Sequence, residues 1–166
     1  MESVDIKTLD SDEISKHSKF MEEAIFEAGL CVQSDDVPIG AVVVFENRIV
    51  GRGHNEREKR NSPIWHAEAI AVEEAAGNLG VWNLSGAVLY VTKEPCVMCA
   101  GLIVQSRITE CVFGASDAKG GGCGGAMQIA NNEILNHRAR LIYGLKEEQC
   151  QKLLRDFFQK KRKIIS

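Results

Sequence analysis

Three side chains in the sequence have the chemistry and the spacing to hold one metal ion. His66 is followed, after the 29 residues from 67 to 95, by Cys96 and Cys99 in the order Pro95-Cys96-x-x-Cys99. Imidazole nitrogen and thiolate sulfur are ligands of Zn²⁺, and a site with three protein ligands keeps the fourth tetrahedral position open for water. Open zinc sites of this kind are catalytic, because the ion activates the water at that position.

The other cysteines argue against a structural zinc site. A closed structural site would need a fourth Cys or His, and Cys111 and Cys123 are the only plausible candidates. Neither forms a pair at ligand spacing, so the pattern favours a catalytic metal. Cys31 and Cys150 are also isolated in the sequence. We expect all four single cysteines to be small buried apolar residues rather than halves of disulfides.

Glu68, two residues after His66, is the candidate acid–base group. A carboxylate at a helix start can face the open metal position without binding the ion. There it would take a proton from water and pass it to a ring nitrogen and then to leaving ammonia. The order H-x-E…P-C-x-x-C is the known signature of zinc enzymes that deaminate nucleobases, so these roles come from that signature and not from the spacing.

Hydrophobic periodicity predicts an α/β protein that places these residues at helix starts. Helical stretches with apolar residues at three- and four-residue steps alternate with short β-rich apolar runs. This order implies a three-layer αβα sandwich with helices on both faces of a five-stranded mixed sheet, whose chemistry lies at strand ends and helix starts. Helices are expected at 15–31, 66–76, 96–105 and 146–163, with a short one after the glycine-rich run 120–125, and strands at 39–45, 48–54, 87–92, 108–114 and 140–143.

Composition and charge predict one cytoplasmic globular domain over residues 1–166. Hydrophobic residues make up 45% and charged residues 26% of the sequence, which is ordinary for a globular protein. The apolar stretches are far shorter than the roughly 20 residues of a membrane-spanning helix, and the acidic segment 1–5 leads into no signal-peptide core. The net charge of −3 excludes a general basic field, so contact with nucleic acid must be local.

Further segments extend the metal-binding motif along almost the whole chain. Residues 94–101 read Glu-Pro-Cys-Val-Met-Cys-Ala-Gly, and residues 112–119 read Val-Phe-Gly-Ala-Ser-Asp-Ala-Lys. With these segments the sequence resembles the cytidine and deoxycytidylate deaminase superfamily, and within it the tRNA adenosine deaminases of the TadA type. The resemblance implies a cytidine deaminase-like fold, a homodimer, and zinc-dependent conversion of adenosine to inosine at the wobble position of tRNA anticodon loops.

The same resemblance implies a pocket that holds one flipped base. Asn55 would hydrogen-bond the base, because an amide both donates and accepts, although it also suits a turn after a strand. Ile39 would pack on the face of the base, and core packing explains an apolar residue there equally well. The backbone N–H of Ala67 would stabilise the oxygen at the reaction centre. Trp65 stands where the family has a smaller residue or an arginine, so it is expected to narrow the pocket mouth or to cover the core.

The C-terminal helix is the candidate RNA-contacting element. Two phenylalanines precede a run of four cations from 160 to 163, and aromatic rings beside cations suit a stacked loop base with nearby phosphates. The alternative is a terminal helix packed by its phenylalanines with a solvated basic end. A loop that matches the family supplies two further candidates. The expected contacts with RNA are those of Phe158, Lys160, Arg162, Asp117 and Lys119.

Two other functions remain open at this level. One is deamination of a free nucleobase or nucleoside, such as guanine, cytosine or cytidine, with the same zinc chemistry but no need for a polycationic helix. The other is an inert RNA-binding partner subunit, but the inert relatives lose the catalytic glutamate and Glu68 is present. Lys93 and the glycine run 120–125 depart from the usual pattern and bear on the choice of substrate.

Overall fold

Six strands form one mixed β-sheet in the computed structural model, which describes residues 3–165. Residues 1, 2 and 166 of the predicted domain lie outside the described residues. The spatial order is β1-β6-β5-β4-β2-β3, in which β2 is antiparallel to both neighbours and the other pairs are parallel. The strands are β1 (Ser3–Asp5), β2 (Gly40–Phe45), β3 (Arg48–His54), β4 (Val88–Lys93), β5 (Glu110–Ala115) and β6 (Arg140–Tyr143).

Four helices cover the two faces of the sheet, as expected for an αβα sandwich. They are α1 (Ser11–Leu30), α2 (Ala67–Leu79), α3 (Val97–Gln105) and α4 (Glu147–Ile165). Leu89 and Val91 of β4 pack in the core beneath α2 and α3, whereas Tyr90 packs with residues of α1 and α4. This alternation is the two-residue period of a strand buried on both faces. Within residues 3–165, no helix has the length and apolar character to cross a membrane.

Two expectations about the elements are wrong. The sheet has a sixth strand, β1, because Ser3–Asp5 pairs in parallel with β6. A three-residue strand leaves no readable alternation in a sequence, and its partner lies near the other end of the chain. The short helix expected before β6 is also absent, since residues 116–139 form turns, bends and isolated β-bridges but no helix.

Close contact between β3 and α2 brings the end of this strand to the start of this helix. A Cβ atom on Gly53 would lie 2.8 Å from the backbone nitrogen of Ala71, and one on Gly51 would lie 2.7 Å from that of Ala75. Only glycine allows the helix to approach the strand this closely. The polar residues that follow β3 are therefore held beside the residue that opens α2.

Candidate active site

The structure brings the three predicted metal ligands together at the N-termini of two adjacent helices. His66 is the N-cap of α2, Cys96 is the N-cap of α3, and Cys99 lies in the first turn of α3. The Nδ1 atom of His66 lies 3.5 Å from Sγ of Cys96 and 3.6 Å from Sγ of Cys99. Bonds of about 2.0–2.1 Å to nitrogen and about 2.3 Å to sulfur at a tetrahedral ion require an N···S separation of about 3.6 Å. The donor atoms therefore fit a zinc ion.

The sulfur atoms of Cys96 and Cys99 share a single proton, an arrangement that suits the binding of a divalent cation. The hydrogen bond with Cys99, followed by that with His66, lowers the pKa of the Cys96 thiol to about 3 despite its partial burial. The same hydrogen bond with Cys96, together with burial, raises the pKa of Cys99. One sulfur is thus a thiolate and its neighbour retains a proton, which a cation bound to both sulfurs would displace.

Glu68 lies beside these ligands with its side chain buried. It occupies the first turn of α2, is 4% exposed, and lines the same cavity as His66. Burial raises the pKa of its carboxyl group, with the nearby His66 acting in the opposite direction. A carboxyl group whose pKa is raised above its ordinary range is suited to exchanging protons near neutral pH.

A cavity of about 270 Å³ opens above this group and has the size for a single base. Ile39, Asn55 and Ala67 all line it, as the sequence predicts for the base pocket. Ala67 is the first residue of α2, so its N–H is one of the helix-terminal donors that have no partner within the helix.

Asn55 both lines the cavity and shapes the turn after β3. Its Nδ2 donates to the carbonyl of Val37 at 3.2 Å, and its Oδ1 accepts the backbone N–H of Arg57 at 3.2 Å. Asn55 therefore does stabilise the turn after β3, as the alternative interpretation of the sequence predicts. A primary amide has a second N–H and a second lone pair, so these contacts leave it able to bind a base as well.

Trp65 does not line this cavity, contrary to its expected place at the pocket mouth. It lies in a different depression, the apolar groove, and its ring stacks on the guanidinium of Arg60 at 3.9 Å. The reason is local geometry. His66 has an extended backbone, with φ −78° and ψ 155°, and successive side chains of an extended segment point in opposite directions. The apolar groove is lined by Ile64, Trp65, Ala69, Val72, Glu73, Ala76, Trp82, Met98, Leu102, Gln105 and Ser106.

The end of α4 reaches the cavity, but of the predicted RNA residues on this helix only Phe158 lines it, and Lys160 lines a separate depression beside Asp35 and Phe157. Phe158 lines the cavity together with Leu154, one turn earlier, and its side chain is 47% exposed. Lys160 and Arg162 are exposed on the same last turns of the helix. Lys161 forms an ion pair of 2.5 Å with Asp35, which ties the helix end to the loop after α1.

Asp117 and Lys119 lie in the segment 116–125, which we call the glycine loop. Asp117 forms an ion pair with Lys93, a residue that itself lines the cavity. Burial opposes ionisation of Asp117, but hydrogen bonds from Lys93 and from the backbone of Lys119 and Gly120 lower its pKa overall. Lys119 is exposed. Asp117 is therefore linked to the cavity through Lys93, and Lys119 lies two residues further along the same loop.

Sequence reasoning missed several residues that the fold adds to this site. In the sequence, Lys93 stands out only as a departure from the family pattern, and Glu94 only as part of the Glu-Pro-Cys signature. The charged residues at the mouth gave no signal at all, because nothing in their spacing ties them to the metal motif. The additional lining residues are Asp36, Val37, Arg57, Glu58, Lys93 and Leu154.

An αβα sandwich with a His/Cys/Cys site at two helix N-termini beside a buried glutamate defines a deaminase of the cytidine deaminase-like fold. The MafB19-like deaminase family matches residues 15–162. A tRNA-specific adenosine deaminase of Bacillus subtilis (strain 168) is 47% identical over 144 residues, which are 87% of this chain and 89% of the relative. The chain therefore belongs to the MafB19-like deaminase family and to the tRNA-specific adenosine deaminases.

Solved structures agree with this assignment. One from studies of A-to-I editing by tRNA:A34 deaminases at the wobble position of transfer RNA is 38% identical, with a TM-score of 0.77, over 82% of this chain and 99% of that chain. Guanine deaminase from Bacillus subtilis is 34% identical, with a TM-score of 0.58, over 60% of this chain and 64% of that chain. The tRNA-editing structure thus matches more of this chain and superimposes better.

Proposed function

We propose that this protein hydrolyses adenosine to inosine at the wobble position of tRNA anticodon loops, with release of ammonia. The observation that carries the proposal is the buried Glu68 beside the His66, Cys96 and Cys99 donors, in a chain that is 47% identical to a tRNA-specific adenosine deaminase. An adenine in a seven-base loop is already partly unstacked, so its extrusion into a cavity costs little.

Zn²⁺ is the cofactor that this donor set would hold. When bound, it supplies a Lewis acid that lowers the pKa of water at the open position. Glu68 would take one proton from the attacking water and donate it to the ring nitrogen next to the reacting carbon, and would then carry the second proton of that water to the amino group, which leaves as ammonia. Its position in the first turn of α2, beside His66, supports this shuttle.

The base would be held by the lining that faces Glu68. Ile39 would pack on the ring, and Asn55 would use its remaining donor and acceptor on the base edge, while its contacts with Val37 and Arg57 fix the amide plane. The N–H of Ala67, at the positive end of α2, would stabilise negative charge on the reacting oxygen.

RNA around the target base would contact the two rims of the cavity. Phe158 lines one rim and offers a ring for stacking, while Lys160 and Arg162 on the same exposed end of α4 would supply cations for phosphates further along the RNA. Lys93 lines the other, and its partner Asp117, together with Lys119 of the same glycine loop, would contact the RNA there. With a net charge of −3, the protein would depend on these local contacts for its affinity.

Removing two cations of α4 tests the RNA rim. A Lys160→Ala/Arg162→Ala variant is expected to bind an anticodon hairpin more weakly and with a flatter dependence on salt. Each lost phosphate contact should reduce the log–log slope by about 0.7–0.9. Fluorescence anisotropy titrations at several salt concentrations measure the slope.

The matched control removes two cations at the other end of the sheet. Arg48 opens β3 and Arg138 precedes β6, so both lie at strand ends opposite the cavity. An Arg48→Ala/Arg138→Ala variant should keep the wild-type slope. Equal slopes for all three proteins would show that the end of α4 is a solvated helix terminus with no role in RNA binding.

The apolar groove supports a homodimer as the assembly. Ile64, Trp82 and Met98 are 56%, 67% and 40% exposed around it, and concentrated exposed apolar side chains of this size mark interaction surfaces. We propose that a second copy of this chain covers the groove, so that the grooves of the two copies pack against each other about a two-fold axis. The groove begins at Ile64 and Trp65, directly before the metal ligand His66, so the dimer would also support the active site.

Trp82→Glu is expected to give monomers at concentrations where the wild type is dimeric. A charge at the centre of an apolar interface opposes association, and interface tryptophans frequently dominate binding. Sedimentation velocity measures the result. Phe26→Glu is the control, since Phe26 is 63% exposed on α1, on the other face of the sheet. A Trp82→Glu variant that remains dimeric would exclude the groove as the interface.

The function is tested with substrates that separate the candidate activities. The wild type is incubated with an anticodon hairpin carrying adenosine at the wobble position, with the same adenosine in a paired stem, and with free adenosine, guanine and cytidine. We expect inosine only in the hairpin, as measured by mass spectrometry of digested RNA. Ammonia from guanine or cytidine without inosine would favour a nucleobase deaminase. Zinc-loaded protein that binds RNA but converts no substrate would favour an inert partner subunit.

Residues 1–166 would form a single deaminase domain that acts in the cytoplasm. The family match over residues 15–162 supports one domain. All six cysteines are free thiols, which suits a reducing compartment, and tRNA is a substrate found there.

A further inference from the structure

Glu94 is a buried carboxylate that binds the backbone of the glycine loop. It is 3% exposed and follows the last residue of β4. Its Oε2 accepts the N–H of Asp117 at 2.8 Å, and its Oε1 accepts the N–H groups of Cys123 at 3.0 Å and Gly125 at 2.8 Å. Hydrogen bonds from backbone N–H to a carboxylate are stronger than neutral ones, so these three contacts hold both ends of the loop to one side chain.

The glycines of the loop are explained by this contact. A Cβ atom on Gly125 would lie 2.6 Å from Oε2 of Glu94 and would overlap the carbonyl oxygen of Asp117. A Cβ atom on Gly121 would overlap the Glu94 carboxylate itself. The loop wraps the carboxylate too closely for any larger residue at these two positions. Ordering so many glycines costs much conformational entropy, which the hydrogen bonds to Glu94 offset.

The same loop contacts the metal-ligating segment and the cavity rim. The N–H of Gly122 donates to the carbonyl of Pro95 at 2.8 Å, and Gly121 forms a β-bridge with Cys96. On the other side, Lys93 forms its ion pair with Asp117. Lys93 and Glu94 are consecutive in an extended segment, so their side chains leave it in opposite directions and hold one loop from two sides.

We propose that Glu94 is a positioning residue that sets the glycine loop, and with it Asp117 and Lys119, at the mouth of the cavity. This inference rests on the proposed function, because it assigns the loop to RNA binding. Glu94 lines neither the cavity nor the metal donor set, so its effect on the reaction passes through the loop. It should therefore govern the affinity for RNA rather than the chemical step.

Glu94→Gln tests the proposal with little change in shape. The amide keeps one acceptor oxygen but has an NH₂ group in place of the other. At least one backbone N–H of the loop therefore loses its acceptor and faces another donor instead. Hydrogen exchange of the peptide covering residues 116–127 should become faster, whereas exchange elsewhere stays as in the wild type. With an anticodon hairpin, KM should rise about tenfold, the effect of one lost hydrogen bond to a charged group, while kcat changes less than about threefold. The protein should still contain one zinc per chain.

Two further substitutions separate positioning from general stability. Glu110→Gln removes a partly buried carboxylate, ion-paired with Arg140 at the opposite end of β5, and should leave KM and loop exchange unchanged. Gly125→Ala displaces the loop from Glu94 without altering the carboxylate and should reproduce the effects of Glu94→Gln. Gly77→Ala is its control, because a Cβ atom there meets nothing within 4 Å.

The outcomes distinguish this inference from the proposed function. Wild-type KM together with wild-type loop exchange in Glu94→Gln would overturn it, and so would faster exchange spread evenly over the chain. If Glu94→Gln does not fold, KM and loop exchange of Gly125→Ala test the inference instead, and wild-type values of both would overturn it. If the wild type forms no inosine in the hairpin, the proposed function fails. The exchange experiment, which needs no substrate, still shows whether Glu94 holds the loop.

Discussion

Glu68→Gln is expected to leave the fold and the zinc content intact while it reduces turnover on an anticodon hairpin by at least about 10²–10⁴-fold. The amide has nearly the shape of the carboxyl group but cannot take a proton from water or return it to the leaving ammonia. Glu68 contributes no atom to the His66, Cys96 and Cys99 donor set, so metal binding should be retained. Single-turnover kinetics and metal analysis of the purified variant measure the two effects separately.

The stability of this variant gives an independent check. Burial raises the pKa of Glu68, which means that the folded protein disfavours the ionised carboxylate near neutral pH. The neutral amide avoids that cost, so the thermal midpoint should not fall below that of the wild type. Glu74→Ala on the exposed side of the same helix is the control and should retain full turnover. Loss of zinc from Glu68→Gln would make this residue a ligand or a structural residue.

Cys99→Ala is expected to abolish both zinc binding and turnover. The substitution removes one of three donors, and the two that remain cannot define a tetrahedral site with one open position. The loss of metal affinity should exceed the 10–100-fold that removal of an outer hydrogen-bonding partner costs. Inductively coupled plasma mass spectrometry of the purified protein gives the zinc content, and the hairpin assay gives the turnover.

A second buried cysteine serves as the matched control. Cys150 is 1% exposed in the core between the sheet and α4, away from the metal donors. Cys150→Ala should keep one zinc per chain and lose only stability, because it leaves a small void in a packed core. Full zinc content with unchanged turnover in Cys99→Ala would contradict the assignment of the metal site.

The local features of the site could be predicted from the sequence because they depend on short-range rules. His66 and Cys96 occupy N-caps, Cys99 follows within one turn, and Glu68 shares the first turn of α2. Motif spacing and helix-start signals set such relations within a few residues. The same holds for the hairpin between β2 and β3, where Glu46 and Asn47 have the positive φ angles of 48° and 61° that a tight turn requires.

Long-range relations could not be predicted in the same way. The strand β1 is defined by pairing with β6, and the α4 end reaches the cavity only because the helix packs against α1 and the sheet. The glycine loop is held by a carboxylate 23 residues before Asp117. None of these contacts leaves a periodic pattern, because each depends on where two distant segments meet.

The sequence by itself determined the αβα class, the candidate metal donors and the candidate acid–base group, since residue type and short spacing are enough to specify them. Only the tertiary structure decided which side chains line the cavity beside these residues. Trp65 adjoins His66 in the sequence yet faces the apolar groove, whereas Phe158, remote in the sequence, lines the cavity. The physical reason is that an extended backbone reverses side-chain direction at every residue, while packing of the helices on the sheet brings remote residues together.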